Sequence, residues 1–202
     1  MAYFAQHPEA LAIFQDAMTT YAMATLSGVV AHDFTGLGAI VDVGGGQGAI
    51  LRTHPQQRGI LFDFPAVVRG AAPVLERAGV AGRCQVIGGD ALEAVPAGGD
   101  LYLLSRVIHD CDDTRAIAIL KNCRRAARGQ AKLLLVEMVL PDRGTGSWSA
   151  QTQLLSDLNM LVIGGRERTA DDFRALLAAS GWALTRITAA DAVMSVVEGV
   201  AA

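Results

Sequence analysis

Four side chains stand where strand-like runs end, and their types suit chemistry. His109 lies in "RVIHDCDD", Asp42 opens the loop of "IVDVGGGQGAI", Asp63 follows the run in "LFDFP", and Asp90 closes "GGD". Imidazole is the side chain whose ordinary pKa lies nearest neutrality, so His109 has the type of a proton acceptor for a hydroxyl. A histidine at a strand end is also often a packing residue, and its own neighbours do not decide between the two. Asp110, Asp112 and Asp113 have the type of metal ligands. Asp112 and Asp113 are accounted for as charges at a helix N-terminus, so no metal is expected.

The loop is spaced Asp42-x-Gly44-x-Gly46-x-Gly48, with Gly45 between the first two of these glycines. A dinucleotide fingerprint would read G-x-G-x-x-G, and a phosphate-binding P-loop would continue with Lys and Ser or Thr, where this chain has Ala49 and Ile50. A tight turn needs one or two glycines, and more than that cost backbone entropy the turn does not require. The acidic residue at the head of the loop disfavours an anion and suits a cationic amine. Asp63, beyond the carboxyl end of the next strand, suits the two hydroxyls of a ribose. Asp90, at the end of the third, suits an adenine edge. Amine, ribose and adenine together describe S-adenosylmethionine.

These positions require a particular frame. Ala39–Val43, Arg58–Phe62, Cys84–Gly88, Leu101–Ser105 and Lys132–Met138 read as five strands, with the unbroken apolar content of parallel strands covered on both faces. A helix over 112–129 begins at Asp112 or Asp113 and ends at Gly129, with Ala116, Ile117, Leu120, Cys123 and Ala127 as its apolar stripe. A second runs from the cap Thr169 to Gly181. Trp182–Ile187 and Met194–Val200 then follow with no helix between them. This predicts an α/β fold: a seven-stranded, mostly parallel sheet with one antiparallel strand inserted late and helices on both faces. Residues 1–38 read as a helical segment packed on the binding domain of residues 39–202.

Composition narrows the function classes. The 202 residues are 51% hydrophobic, enough for one full core. A mean hydropathy of +0.33 comes from dispersed Ala, Val and Leu, with no run of the roughly 18–20 apolar residues that spans a bilayer. The first residues lack a basic stretch and carry Glu9, so no signal peptide is read and the setting expected is cytoplasmic. Cys84, Cys111 and Cys123 form no CxxC pair and fit reduced thiols. A net charge of −3 gives no attraction to nucleic acid. The expected partner is a small molecule, with neither nucleic acid nor membrane.

The segments "VDVGGGQG", "LFDFP", "GGDALEAVPAGGDLYLLSRVIHDCDD", "LLLVEMVLPD" and "LSDLNMLVIGGRERTADDF" occur in fixed order. Together they resemble the catalytic domain of the plant-type small-molecule O-methyltransferases, in the bacterial natural-product branch. The resemblance implies a Rossmann-like class I methyltransferase sandwich and metal-independent methyl transfer to phenolic or enolic hydroxyls. It implies His109 as general base, braced by Glu137 and Glu167. It places Asp42, Gly44, Gly45, Gly46, Gly48, Asp63, Phe64, Asp90, Ala91, Ser105 and Arg106 on the cofactor, and Asp110, Asn159 and Met160 on the acceptor. Residue chemistry alone also allows a surface charge for Glu137, an ion pair with Arg166 or Arg168 for Glu167, and an ordinary helix face for Asn159 and Met160. His7, His32 and His54 have no motif around them.

Some features depart from the family pattern. The helix after the glycine loop is about a turn short and, with Pro55, no longer than two turns. Ala91 and Cys111 stand where an aromatic is common. "MLVIGGRERT" is one residue short before its glycine pair, which bears on the register of Glu167. The family's N-terminal dimerisation domain is not read in this chain, so its homodimer is not expected. Two alternatives stand beside methyl transfer: hydroxylation or decarboxylation by a relative that binds the same cofactor, and a non-catalytic binding module. His109 together with both glutamates favours methyl transfer.

Overall fold

The computed structural model describes residues 3, 6–25, 34, 36–53, 56–141 and 146–202. Its elements in chain order are α1 (Pro8–Thr25), β1 (Ala39–Val43), α2 (Ala49–Thr53), β2 (Arg58–Asp63), α3 (Pro65–Val68), α4 (Ala71–Arg77) and β3 (Cys84–Gly88). Then come β4 (Leu101–Ser105), a 3-10 turn at Ile108–Asp110, α5 (Asp113–Ala126), β5 (Lys132–Leu140), α6 (Trp148–Ile163), β6 (Arg168–Thr169), α7 (Ala170–Ala179), β7 (Trp182–Ala189) and β8 (Met194–Ala201).

The strands form one sheet in the order β3-β2-β1-β4-β5-β8-β7, with β6 paired to β5 off that path. β1 to β5 are parallel, and β8 alone runs antiparallel, wedged between β5 and β7. Strand order reverses between β1 and β4, the switch point where ligands bind open α/β sheets. Successive residues of the central strands alternate between two cores. Ile40, Leu101, Leu103, Leu134 and Val136 face Leu51 of α2 and Leu75 of α4. Val41, Tyr102, Leu104, Leu133 and Leu135 face Ile119 and Leu120 of α5 and Phe173 and Leu177 of α7. Trp182 fixes β7 to α5 by donating its indole N–H to the Leu120 carbonyl at 3.1 Å.

The expected seven-stranded frame is present, and the two-residue β6 is an addition to it. Burial on both faces holds for β1, β4 and β5, whereas β3 is an edge strand and partly open. α5 is capped by Asp112, whose side chain accepts the Arg115 N–H at 2.8 Å, and it ends at Ala126, three residues before Gly129. Its buried face includes Ile119 and leaves Ile117 half-buried, because the core lies slightly around the helix from the expected stripe. α7 starts at Thr169 with a reciprocal cap: Asp172 N–H donates to the Thr169 hydroxyl, and Thr169 N–H to the Asp172 carboxylate. α2 has five residues, as short as expected. Pro55, His32 and His54 lie outside the described residues, and His7 is exposed. Among the described residues, no helix is long and apolar enough to cross a membrane.

Candidate active site

Each glycine of the loop after β1 has its own reason. Gly44, Gly46 and Gly48 have φ of 71°, 58° and 73°, a left-handed backbone that side chains disfavour. Gly45 needs space: a Cβ there would come within 2.6 Å of the Asp42 carboxylate and of Leu61. A Cβ on Gly44 would strike Val107 at 2.6 Å, so this loop packs directly on the segment that leads to His109. Asp63 closes the loop from the side. Its Oδ2 accepts the Gly46 N–H at 2.9 Å and its Oδ1 the Phe64 N–H at 2.7 Å. Burial raises its pKa, and those two amides pull it back in part.

Asp42 lies beneath the loop. Both of its carboxylate oxygens are sealed from solvent and have no hydrogen-bond partner among the described residues. Burial, and next the charge of Asp63, push its pKa from 3.8 to about 7. Between those values the folded chain keeps a proton that the unfolded chain has released, so stability falls as pH rises through that window and is level above it. The gap is worth on the order of 4 kcal/mol. Asp42→Asn lacks this titration. In urea unfolding it should gain on the wild type as pH goes from about 4 to about 8, and a pH-independent difference would refute the assignment.

The third strand end is tied to its neighbours by two hydrogen bonds. Asp90 Oδ1 accepts the Leu92 N–H at 2.8 Å, and the Ala91 carbonyl accepts from Asn122 at 2.7 Å. Ser105 ends β4, and Arg106 after it is the one non-glycine residue with positive φ, 56°, among the described residues. The chain then enters the 3-10 turn that carries His109.

That turn holds a buried charge cluster. His109 is 4% exposed, Glu137 0% and Glu167 2%. His109 Nδ1 stands 3.0 Å from Glu167 Oε1 and 4.0 Å from Glu137 Oε2. The two glutamates therefore differ in function. Glu167 bonds the ring and is itself braced from α6, where the Ser156 hydroxyl donates to its Oε1 at 2.7 Å and Asp157 accepts its N–H at 2.8 Å. Glu137 mainly holds the turn: its Oε1 accepts the N–H groups of Val107 at 3.1 Å and Ile108 at 2.8 Å. Nε2, the other ring nitrogen, faces the half-exposed Asp110 carboxylate at 3.5 Å. Burial alone would lower the His109 pKa, but Glu137, Glu167 and Asp110 outweigh it and the net shift is upward. Burial likewise raises Glu137, with His109 opposing.

Ligand atoms of His109, Glu137 and Glu167 lie within 4.8 Å of one another, a spacing that also suits a metal ion. Both carboxylates converge on Nδ1, however, and the 3.0 Å contact is a hydrogen bond. A ring N–H there accounts for the cluster without an ion.

The chain matches a family model described as the O-methyltransferase domain over residues 1–183. It belongs to that family. The phenazine O-methyltransferase PhzM of Lysobacter antibioticus is 46% identical over 97% of this chain and 58% of its own length. A crystal structure of LaPhzM superposes with a TM-score of 0.92 at 44% identity, over 100% of this chain and 61% of that one. The O-methyltransferase NcsB1, solved with S-adenosylmethionine and 2-hydroxy-5-methyl naphthoic acid, gives a TM-score of 0.88 at 31% identity, over 100% and 60%. The chain thus spans about three fifths of the length of these relatives.

Within this O-methyltransferase domain, Glu167, whose register the run before the glycine pair put in question, stands 3.0 Å from His109 Nδ1. Arg166 and Arg168 point away from it on the alternating extended backbone, to Asp113 and Asp172 and to Asp113 respectively. Met160 is half-buried and Asn159 exposed on α6, whose outer face also exposes Leu155, Leu158 and Val162. Sequence reasoning missed Ser156 and Asp157, and it gave Asp113 and Arg168 other roles, a helix N-terminal charge and an ion-pair partner of Glu167. Ser156 and Asp157 stand on α6 among other polar residues, Gln151, Thr152, Gln153 and Asn159, so the sequence carried no signal that singled them out.

Proposed function

We propose that the chain binds S-adenosylmethionine and transfers its methyl group to a hydroxyl of a small aromatic or polyketide-type acceptor, with His109 as general base. The buried pair of His109 Nδ1 and Glu167 Oε1 at 3.0 Å carries this reading. It fixes the tautomer with the proton on Nδ1 and leaves Nε2 as the basic atom, on the side of the half-exposed Asp110.

The cofactor reading rests on the strand ends. Asp42 holds two unpartnered oxygens sealed beneath the loop, where its charge bears on the region proposed for a cationic group through the loop rather than by contact, and a Cβ added at Gly46 would meet nothing within 4 Å. Each Asp63 oxygen keeps acceptor capacity beyond its one backbone amide, which suits ribose hydroxyls. Phe64, Asp90, Ala91, Ser105 and Arg106 border the same carboxyl edge of the sheet. When bound, S-adenosylmethionine supplies an activated methyl on a sulfonium. The chain supplies the base: Nε2 accepts the hydroxyl proton, making the acceptor oxygen a nucleophile. Glu167 and Glu137 then stabilise the imidazolium in a medium from which water is excluded. Asp110, Asn159 and Met160 are proposed to face the acceptor. The unbridged cysteines support a cytoplasmic setting.

Incubation with isotope-labelled S-adenosylmethionine and a panel of phenols, read by product mass, tests the activity. Calorimetry with S-adenosylhomocysteine tests the cofactor, and no binding at high micromolar ligand would refute it. Asp63→Ala should weaken that binding on the order of 10²-fold or more, since two charge-assisted hydrogen bonds are worth about 1.5–3 kcal/mol each. Asp63→Asn, which still accepts from Gly46, should be intermediate. An unchanged Kd in Asp63→Ala would remove the residue from the site.

A further inference from the structure

We infer that Arg168 is a positioning residue for the proposed base, a buried clamp that holds the turn carrying His109 against β5. The inference rests on the role of His109 proposed above. Arg168 is 1% exposed, and each of its five N–H donors has an acceptor. Nε donates to Asp113 Oδ1 at 3.0 Å. Nη1 donates to the carbonyls of Ile108 at 2.8 Å and Arg166 at 3.3 Å. Nη2 donates to the carbonyl of Cys111 at 2.8 Å and to Asp113 Oδ1 at 2.8 Å. The guanidinium therefore grips the main chain on both sides of His109, while its bonds leave the imidazole untouched.

Its own backbone is anchored where it can exert that grip. β6 pairs Arg168 with Val139 of β5, two residues after Glu137. One strand thus presents two opposed clamps. Glu137 takes the N–H groups entering the turn, and Arg168, through β6, takes carbonyls within it and just beyond it. Arg166 N–H adds a third hold on the His109 carbonyl at 2.9 Å. A turn entered through the left-handed Arg106 needs such over-determination to persist.

Burying a guanidinium is costly, and a buried ion pair adds little net stability over a packed apolar group. What the five bonds achieve is one geometry: two rigid planes, the guanidinium and the peptide, locked together. Arg168→Lys keeps the charge but replaces the planar fork with a single point of donation. With the turn loosened, Nδ1 moves away from the carboxylates that raise its pKa. The groups facing the ring are Asp110 on the turn itself, Glu137 from β5 and Glu167 from the segment before β6.

The test is an NMR titration of the His109 imidazole in wild type and Arg168→Lys, with His109→Gln identifying the resonance. It needs neither cofactor nor acceptor, so its result stands even if the chain transfers no methyl group. The His109 pKa should fall toward the ordinary 6.5 in the variant. Where turnover is found, kcat should drop on the order of 10²-fold, its pH profile should shift acidward, and the Kd for S-adenosylhomocysteine should stay the same. An unmoved His109 pKa overturns the inference, as does a kcat loss equal at every pH. If Arg168→Lys does not fold, Asp113→Asn at the half-exposed partner carries the same test. A smaller shift in the same direction supports the clamp, and no shift overturns it.

Discussion

His109→Ala should abolish measurable methyl transfer while leaving S-adenosylhomocysteine affinity unchanged. General-base assistance is worth about 10²–10⁴ in rate. The proposed acceptor meets Nε2, whereas the cofactor is proposed to lie on the glycine loop and Asp63, which His109 does not bond. His109→Gln keeps most of the volume and should be nearly as inactive, which separates loss of the base from loss of packing. The pH profile adds a signed check. Transfer needs the neutral imidazole, so kcat should rise with pH through the folded pKa of His109. The surrounding carboxylates raise that pKa above the ordinary 6.5, so the midpoint should lie on the alkaline side of it. Removing a carboxylate should move the midpoint back. Glu167→Gln should shift it more purely than Glu137→Gln, because Glu137 also holds the Val107 and Ile108 amides. Equal turnover by wild type and His109→Ala would end the assignment, and a midpoint below 6.5 would contradict the carboxylate geometry.

The frame of this site was legible for a physical reason. Parallel strands buried on both faces write unbroken apolar runs, so β1 and β4 match their expected bounds and β5 extends only two residues further; the partly open edge strands β3 and β7 also fall within two residues of theirs. Caps are equally local: Thr169, and the choice of Asp112 or Asp113 that the structure resolves to Asp112, were readable because a cap and its amide lie three residues apart. The glycine loop advertised itself because left-handed backbone and close packing both select the same residue type. The charge cluster was different. His109 and Glu167 are 58 positions apart and Arg168 meets Ile108 across 60, so nothing in their local spacing pairs them. His109, Glu137 and Glu167 came from resemblance. Arg168 had no resemblance behind it and read as an ion-pair partner for Glu167. Extended backbone turns adjacent side chains to opposite sides, and that alternation sends Arg168 to Asp113 instead. β6 escaped notice because two residues are too few to carry a period.

Gly165→Ala should be among the most damaging single-methyl changes in the chain, and its neighbour supplies the control. Gly164 and Gly165 follow α6 in succession, yet they are glycine for different reasons. Gly164 has φ of 86° at the C-cap, with nothing within 4 Å of an added Cβ. Gly164→Ala therefore meets only left-handed strain, about 1–2 kcal/mol. A Cβ on Gly165 would sit on the carbonyl oxygen of His109 and within 2.9 Å of Asp110 Cα. Those are backbone atoms, which cannot swing aside as a side-chain tip can. The segment 165–168 would have to lift off the turn, and three sets of contacts would go together. They are the Arg166 N–H bond to His109, the Glu167 contact with Nδ1, and the Arg168 bonds to Ile108 and Cys111. Overpacking costs about 1–3 kcal/mol, and each lost hydrogen bond about 0.5–1.5 more, so a loss of roughly 4 kcal/mol is expected. Urea unfolding of both variants reads this directly, with Gly165→Ala clearly below Gly164→Ala. At temperatures where both remain folded, kcat of Gly165→Ala should fall on the order of 10²-fold, while Gly164→Ala stays near wild type. Equal stabilities for the two variants, or wild-type turnover by Gly165→Ala, would show that the turn and the 165–168 segment are not locked together as the geometry requires.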